Sequence, residues 1–313
     1  MRAAGLISLV LGAVALSGCT GFDEINSGDL PDLRPVVRPP ETAARSDDSF
    51  NQERFYRQVE TQLLARGLLR ADGGGPDVPF TDEMLARNFL ALAFSEEFSE
   101  TGGVVRATGR ASTLHRWVDP VRIETVFGTT VDQRMAEEDQ TLVAAYADRL
   151  SDITGHPISS VNKGGTFTLF VVHDQDLRTI GRRLKERLPE ISSTEIAFVE
   201  GLPLETYCVV MTSDPANDGV IDRAVAIVRA ELPTALRTSC YHEELAQGLG
   251  LGNDSDFARP SVFKDDDEFG RLTDHDEQLL RILYDARLTP GMTETDAAPT
   301  VRTIATALMA PRT

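Results

Sequence analysis

The chain has 313 residues, of which 41% are hydrophobic and 26% are charged. This is the composition of an ordinary globular protein, which excludes a collagen, a coiled coil or a fully disordered chain. Asp and Glu number 49 against 31 Lys and Arg, so the formal net charge is −18. Binding to nucleic acid and charge-driven binding to anionic lipid both need a basic surface, so the acidic composition argues against these two functions.

Residues 1–18 have the pattern of a secretory signal. Arg2 supplies the positive charge, and the apolar stretch 6–16 is shorter than the roughly 20 residues that a membrane-spanning helix needs. The segment ends in Leu16-Ser17-Gly18-Cys19, which resembles a lipobox, the processing motif of bacterial lipoproteins. The resemblance implies that Cys19 is lipidated and becomes the first residue of the mature chain. An ordinary signal peptide with a chance cysteine is the alternative.

The residue after Cys19 is Thr20 and not Asp. In lipoproteins of this type that choice implies sorting to the outer membrane. We therefore expect a cell-envelope protein that is held to the membrane through Cys19 and faces the periplasm.

Two further cysteines, Cys208 and Cys240, are 32 positions apart. In an oxidising compartment such a pair predicts one disulfide, and two separate buried thiols are the alternative. A loop of this length would stabilise the folded state by about 3–4 kcal/mol.

Residues 19–49 are predicted to form a flexible tether, because they are rich in Pro, Ser and acidic residues and poor in apolar ones. Residues 50–110 are predicted to be an N-terminal helical segment. Its first helix carries Phe55, Val59 and Leu63 at helical spacing, and its second begins at the candidate cap Thr81.

Residues 111–290 alternate between strand and helix patterns. The predicted elements are a strand within 117–127, a helix over 132–153, strands over 158–161 and 166–172, a helix over 175–187, strands over 207–212 and 221–228, and a helix over 233–249. This order predicts an α+β fold with a mixed sheet and one long helix. Residues 291–313 are predicted to be a C-terminal helix or tail.

The segment 240–254 carries the candidate site. Glu243 and Gln247 are four residues apart on one helical face, with Glu244 beside them. Gly250 permits a sharp turn, after which Asn253 can fold back towards the helix. The pattern predicts that three polar, oxygen-bearing side chains converge.

This segment resembles the signature of the metzincin zinc peptidases, H-E-x-x-H-x-x-G-x-x-H. Glu243, Gln247 and Asn253 fall on the three His ligand positions, whereas Glu244 falls on the catalytic Glu and Gly250 on the turn glycine. Downstream, Ser261-Val262-Phe263 falls on the Ser-Ile/Val-Met turn, with Phe263 in place of Met. The resemblance implies a metzincin-like domain over residues 111–290, with residues 233–249 as the active-site-type helix. The chain is also similar to an uncharacterised DUF2927-like bacterial family that carries E-E-x-x-Q-x-L-G-L.

The side chains at the three ligand positions determine which metal the site is expected to bind. Zinc favours imidazole, thiolate and carboxylate ligands, whereas the amides of Gln247 and Asn253 suit harder cations. We therefore expect no zinc and no other cofactor, and a degenerate peptidase domain that binds an envelope protein or a peptide. Calcium-stabilised folding is one alternative. The other is a divergent metal-dependent peptidase that uses Glu244 as general base and recruits His242 or His275. Without such recruitment, His242 is expected to lie at the surface or to pack near Tyr241.

Overall fold

A computed structural model describes residues 44–101, 104–264 and 266–310. The predicted signal, Cys19 and most of the predicted tether lie outside these residues. The helices are α1 (Asp47–Ala65), α2 (Asp82–Ala93), α3 (Gln133–Thr154), α4 (Asp174–Leu177), α5 (Gly181–Arg187), α6 (Ser193–Glu200), α7 (Thr234–Gln247), α8 (Asp274–Leu283) and α9 (Glu294–Met309). The strands are β1 (Ser95–Thr101), β2 (Val104–Ala111), β3 (Val121–Phe127), β4 (Ile158–Val161), β5 (Phe167–Val172), β6 (Cys208–Ser213) and β7 (Arg223–Arg229).

Five strands form one mixed sheet in the order β4-β3-β5-β7-β6. Strand β3 pairs in parallel with β4 and β5, and β5 pairs in parallel with β7. The outer strand β6 runs antiparallel to β7, with Cys208 opposite Val228. The α+β class predicted from the sequence is confirmed.

Side chains of the central strand β5 point alternately to the two faces of the sheet, as strand geometry requires. Leu169 and Val171 enter the larger hydrophobic cluster, which also takes in apolar residues of α1, α2, α3, α7, α8 and α9. Phe170 and Val172 enter a smaller cluster that is closed by α5 and α6. The helix that carries the candidate site, α7, therefore packs on the face opposite to α5 and α6.

Several elements begin where local sequence signals place them. Thr81 caps α2 by accepting a hydrogen bond from the Met84 backbone N–H at 3.2 Å. Asp132 caps α3 in the same way at 2.9 Å. Helix α1 begins at Asp47, after the cap Ser46, and so includes the last three residues of the predicted tether.

The predicted helix over 175–187 is wrong, because the structure divides it into α4 and α5. Gly181 begins α5 and donates its N–H to Glu200 of α6 at 2.9 Å. A Cβ at Gly181 would lie 2.6 Å from Ile196. The glycine therefore permits α5 and α6 to pack closely.

The antiparallel hairpin β1–β2 and the short helix α6 were not predicted, and the hairpin occupies residues 95–111, so the predicted helical segment 50–110 is helical only in its first part. Strand β1 reads Ser-Glu-Glu-Phe-Ser-Glu-Thr, which lacks the alternating apolar pattern of a half-buried strand. Within the described residues, no helix is both long and apolar enough to cross a bilayer.

Candidate functional site

A disulfide joins the outer strand β6 to helix α7. Cys208 and Cys240 are bonded, with their Cα atoms 5.9 Å apart, so the predicted bridge is confirmed. Cys240 is 2% exposed and lies on the buried side of α7. The bridge fixes the middle of α7 against the edge of the sheet.

Two carboxylates follow this disulfide on α7. Carboxylate oxygens of Glu243 and Glu244 and the sulfur of Cys208 all lie within 4.8 Å of one another. Glu244 is 4% exposed, whereas Glu243 is half-buried. Among the described residues these three side chains bring possible ligand atoms together, but Cys208 is bonded to Cys240 and its sulfur is not a thiolate. The oxidised chain therefore offers two carboxylates here.

The two amide side chains at the remaining ligand positions make hydrogen bonds within the protein. The buried Gln247 donates its Nε2 to Asp254 Oδ1 at 2.7 Å. Asn253 donates its Nδ2 to the carbonyl of Ala91, at the end of α2, at 3.2 Å. The first bond closes segment 247–254 on itself, and the second ties that segment to the end of α2.

The turn after α7 depends on Gly250. Its φ is +128°, a backbone conformation that residues with a side chain rarely adopt, and its N–H donates to the Gln247 carbonyl at 2.8 Å. A Cβ at this position would lie 2.1 Å from the carbonyl oxygen of His115. Both the conformation and the close approach of the chain therefore require glycine.

Asp276, near the start of α8, accepts hydrogen bonds from the segment 261–263. Ser261 Oγ donates to Asp276 Oδ1 at 2.5 Å, and the Val262 N–H donates to Asp276 Oδ2 at 2.9 Å. Ser261 Oγ also accepts from the Phe263 N–H at 3.0 Å. Ser261, Phe263 and Asp276 are all fully or almost fully buried. One carboxylate thereby fixes this turn within the core.

His242 is half-buried, and its aromatic partner is Tyr146 and not the expected Tyr241. Its ring lies on Tyr146 of α3, with centroids 4.0 Å apart, and its Nδ1 accepts the Leu272 N–H at 3.1 Å. Burial, assisted by the nearby Arg271 and Arg149, lowers the pKa of His242 to about 3. His242 is therefore a neutral packing residue at physiological pH.

His275 is also part of the core. It is fully buried, and its Nε2 lies 3.2 Å from Asn88 Nδ2 of α2. Its Nδ1 lies 3.5 Å from Asp276 Oδ1. In the described part of the chain neither His242 nor His275 shares a group of possible ligand atoms with Glu243.

Two important partners were missed from the sequence. Asp254 accepts the amide of Gln247, and Asp276 supports the turn at Ser261. The spacing Thr273-x-x-Asp276 contains a signal for the second, because it is a capping box and both of its hydrogen bonds form. No comparable local signal identifies Asp254.

A zinc ion, which the resemblance to metzincins implies, does not fit these residues. Gln247 and Asn253 offer amides whose nitrogens are hydrogen-bonded to Asp254 and Ala91, and Glu243 is the single carboxylate among the three ligand positions. Zinc sites in proteins are built from imidazole, thiolate and carboxylate donors. The donor set is therefore too poor to bind zinc tightly.

Residues 82–303 of the chain match the model of a protein family of unknown function, DUF2927. The match includes α2 to α8, the whole sheet and most of α9, but not α1. Comparison with curated proteins and with solved structures found no match.

Proposed function

Since the chain belongs to DUF2927, a family of unknown function, we propose its function from the site itself. We propose that it is an envelope lipoprotein whose metzincin-like domain lacks peptidase activity and serves as a binding module. The observation that carries this proposal is the replacement of three ligand positions by Glu243, Gln247 and Asn253, with the amide nitrogens of Gln247 and Asn253 bonded within the protein.

The features around the ligand positions support a metzincin-like origin. Helix α7 carries Glu244, it is followed by the turn at Gly250, and a buried turn at Ser261 lies further along the chain. The order of strand, helix and strands through residues 121–172, and of strands and helix through residues 208–247, supports the resemblance, with α4, α5 and α6 inserted between the two parts. Without a Lewis acid, a water molecule beside Glu244 keeps a pKa near 15.7, whereas zinc would bring it to about 7.

Elemental analysis and a restored ligand set test this proposal together. The wild-type protein, purified without chelator, is expected to hold no stoichiometric zinc. A variant that combines Glu243→His, Gln247→His and Asn253→His is expected to bind one zinc ion, because the helix and the Gly250 turn would bring the three imidazoles together. Gln247→His alone serves as the control and should bind none tightly.

Two results would contradict the proposal. Stoichiometric zinc in the wild-type protein would show that the native donors suffice. Failure of the folded triple variant to bind zinc would show that α7 and the turn do not have metzincin geometry. Far-ultraviolet circular dichroism of each variant establishes that it is folded before its zinc content is measured.

A divergent metal-dependent peptidase is the second candidate, and the proximity of the Glu243 and Glu244 carboxylates favours it. In that case peptide cleavage should require an added divalent cation and should be abolished by Glu244→Gln. Glu186→Gln, at an exposed position on α5, is the matched control and should leave cleavage unchanged. A wild-type protein that cleaves no peptide with any of Zn²⁺, Mn²⁺ or Ca²⁺ would exclude this candidate.

The lipid anchor is proposed from Leu16-Ser17-Gly18-Cys19. Two or more acyl chains give stable membrane attachment, whereas one gives only marginal binding. Cys19→Ser is expected to abolish acylation and to release the protein from the membrane fraction, as judged by intact mass and by detergent phase partition. Thr20→Asp is the matched control, since it is expected to change the target membrane but not the acylation.

A further inference from the structure

Buried polar side chains cluster at one end of the sheet, in addition to those of the candidate site. Strands β3, β5 and β7 are parallel, so their carboxyl ends meet at the same edge. The side chains that follow or end these strands there, all at most 5% exposed, are Thr130, His173, Asp174, Arg229 and Glu231. Burial of this many polar groups is costly unless each is matched by a partner.

Glu231 is at the centre of this cluster. It is 1% exposed, and its Oε1 accepts hydrogen bonds from Ser49 Oγ at 2.6 Å and from the Asp174 N–H at 2.7 Å. Its Oε2 is buried without a hydrogen-bond partner among the described residues. The charged form of this carboxyl is therefore incompletely compensated, and burial raises the pKa of Glu231.

Helix α1 closes this edge through polar contacts. Ser49 is fully buried against Glu231, and Gln52 accepts from the buried Arg229 at 3.4 Å. Just before the helix, the Ser46 N–H donates to Gln175 Oε1 at 2.5 Å. Such hydrogen bonds exchange with water at a net cost of about 1 kcal/mol each, so the part of α1 that precedes the fully buried Tyr56 is held mainly by contacts that local opening can replace with water.

The second half of α1 caps the helix of the candidate site. Glu60 Oε2 accepts the backbone N–H groups of Ala235 and Leu236, at 3.0 and 3.1 Å. The residue at the cap position of α7 is Pro233, whose side chain makes no capping hydrogen bond. The first turn of α7 thus obtains its cap from α1, about 175 residues earlier in the chain.

From these contacts we propose that α1 is a latch that controls the helix of the candidate site. When α1 is docked, Ser49 covers Glu231 and Glu60 caps α7. When α1 separates, Glu231 is exposed to water and the first turn of α7 loses its cap, which loosens the start of the helix that further along carries Cys240, Glu243 and Glu244.

The position of α1 in the chain fits this role. It precedes the family-matched residues 82–303 and directly follows residues 1–43. The latch requires neither a lipid on Cys19 nor a metzincin origin of the domain.

Hydrogen exchange of the full-length protein tests the latch. Ser49→Asp places a second carboxylate against Glu231 and is expected to release α1. Exchange should rise about five- to tenfold at residues 47–56 and also at 235–238, which is the effect expected from the loss of one helix cap. Exchange in β5 and β7 should stay unchanged. Thr61→Asp, an exposed position on the same helix, is the matched control and should alter neither segment.

A second variant separates the two contacts. Glu60→Ala is expected to raise exchange at 235–238 while residues 47–56 remain protected, and Glu60→Gln, which keeps an acceptor oxygen, should restore most of the protection. If Ser49→Asp raises exchange in α1 alone, α1 is not coupled to α7 and the proposal is overturned. A uniform rise through β5 and β7, or a failure of Ser49→Asp to fold, would also overturn it, because α1 would then be a part of the core.

Discussion

Arg237 of α7 and Asp139 of α3 form a buried two-point ion pair, with Nε–Oδ2 and Nη2–Oδ1 distances of 2.8 and 3.1 Å. Tyr241, one turn further along α7, donates its hydroxyl to the same carboxylate at 2.8 Å. Burial alone would lower the pKa of Arg237, but Asp139 and Tyr241 outweigh it, so that pKa is raised. This contact fixes the rotation of α7 and hence the direction of Glu243 and Glu244.

Asp139→Ala is expected to destabilise the protein by about 3–5 kcal/mol, because it leaves a guanidinium buried without its counter-charge. A variant that combines Asp139→Leu, Arg237→Met and Tyr241→Phe removes every charged or hydroxyl group of the cluster and should recover most of that loss. Urea unfolding at constant pH measures both. A triple variant as unstable as Asp139→Ala would show that the buried charge is not the cause.

The disulfide should contribute substantially to stability. Reduction of Cys208–Cys240, which closes a loop of 32 residues, is expected to lower the free energy of unfolding by about 3–4 kcal/mol. Guanidinium unfolding with and without a reductant gives this difference, and Cys208→Ala with Cys240→Ala provides a version that is insensitive to the reductant. An equal stability of the reduced and oxidised forms would contradict the expectation.

Gly250→Ala should be far more damaging than a comparable change elsewhere. At Gly250 the added Cβ would meet a backbone oxygen at 2.1 Å, so we expect a loss of about 3 kcal/mol or more. Gly155 ends α3 with φ +66°, and a Cβ added there would meet nothing within 4 Å. It is the control, and Gly155→Ala should cost about 1 kcal/mol. Thermal unfolding of the two variants side by side measures the difference.

Acidification should destabilise the protein through His173. Burial and then the charge of Arg45 lower the pKa of His173 to about 4, whereas an unfolded His titrates near 6.5. Between pH 6.5 and pH 4, His173 is protonated in the unfolded state but not in the folded state. The free energy of unfolding therefore falls as the pH drops from about 6.5 to 4, by at most about 3 kcal/mol. His173→Gln should flatten this part of the stability profile, as measured by urea unfolding at pH 7 and pH 5.

Glu231 acts in the opposite sense. Its raised pKa means that the folded state binds a proton more readily than the unfolded state, so this carboxyl favours folding at acidic pH and loses that advantage as the pH rises through its folded pKa. Because both groups titrate in the native protein, only the comparison of wild type with His173→Gln isolates the contribution of His173. A variant whose profile stays as steep as that of wild type would contradict the assignment.

Features set by neighbouring residues were predictable from the sequence. The apolar run of β5, the cap at Thr81 and the end of α7 near Gly250 all depend on side chains a few positions apart. The pairing of Cys208 with Cys240 was predictable as well, because only two cysteines remain once Cys19 is assigned to the lipid.

Contacts between distant segments were not predictable. Ser49 and Glu231 are 182 residues apart, and nothing in the sequence around either residue indicates the other. The close packing of α6 against Gly181, at the start of α5, is likewise a property of the tertiary structure. The same holds at the candidate site, where Gln247 and Glu243 share a helical face but Gln247 turns its amide nitrogen to Asp254.

The cap that Glu60 provides for α7 has a consequence for biosynthesis. A ribosome makes α1 long before it makes residues 229–236, on which α1 docks. During that interval α1 has no surface to bind, and Tyr56 and Leu63, which are buried in the folded protein, remain accessible to other chains. A product that terminates before residue 229 would keep α1 permanently undocked and be a ready substrate for proteolysis.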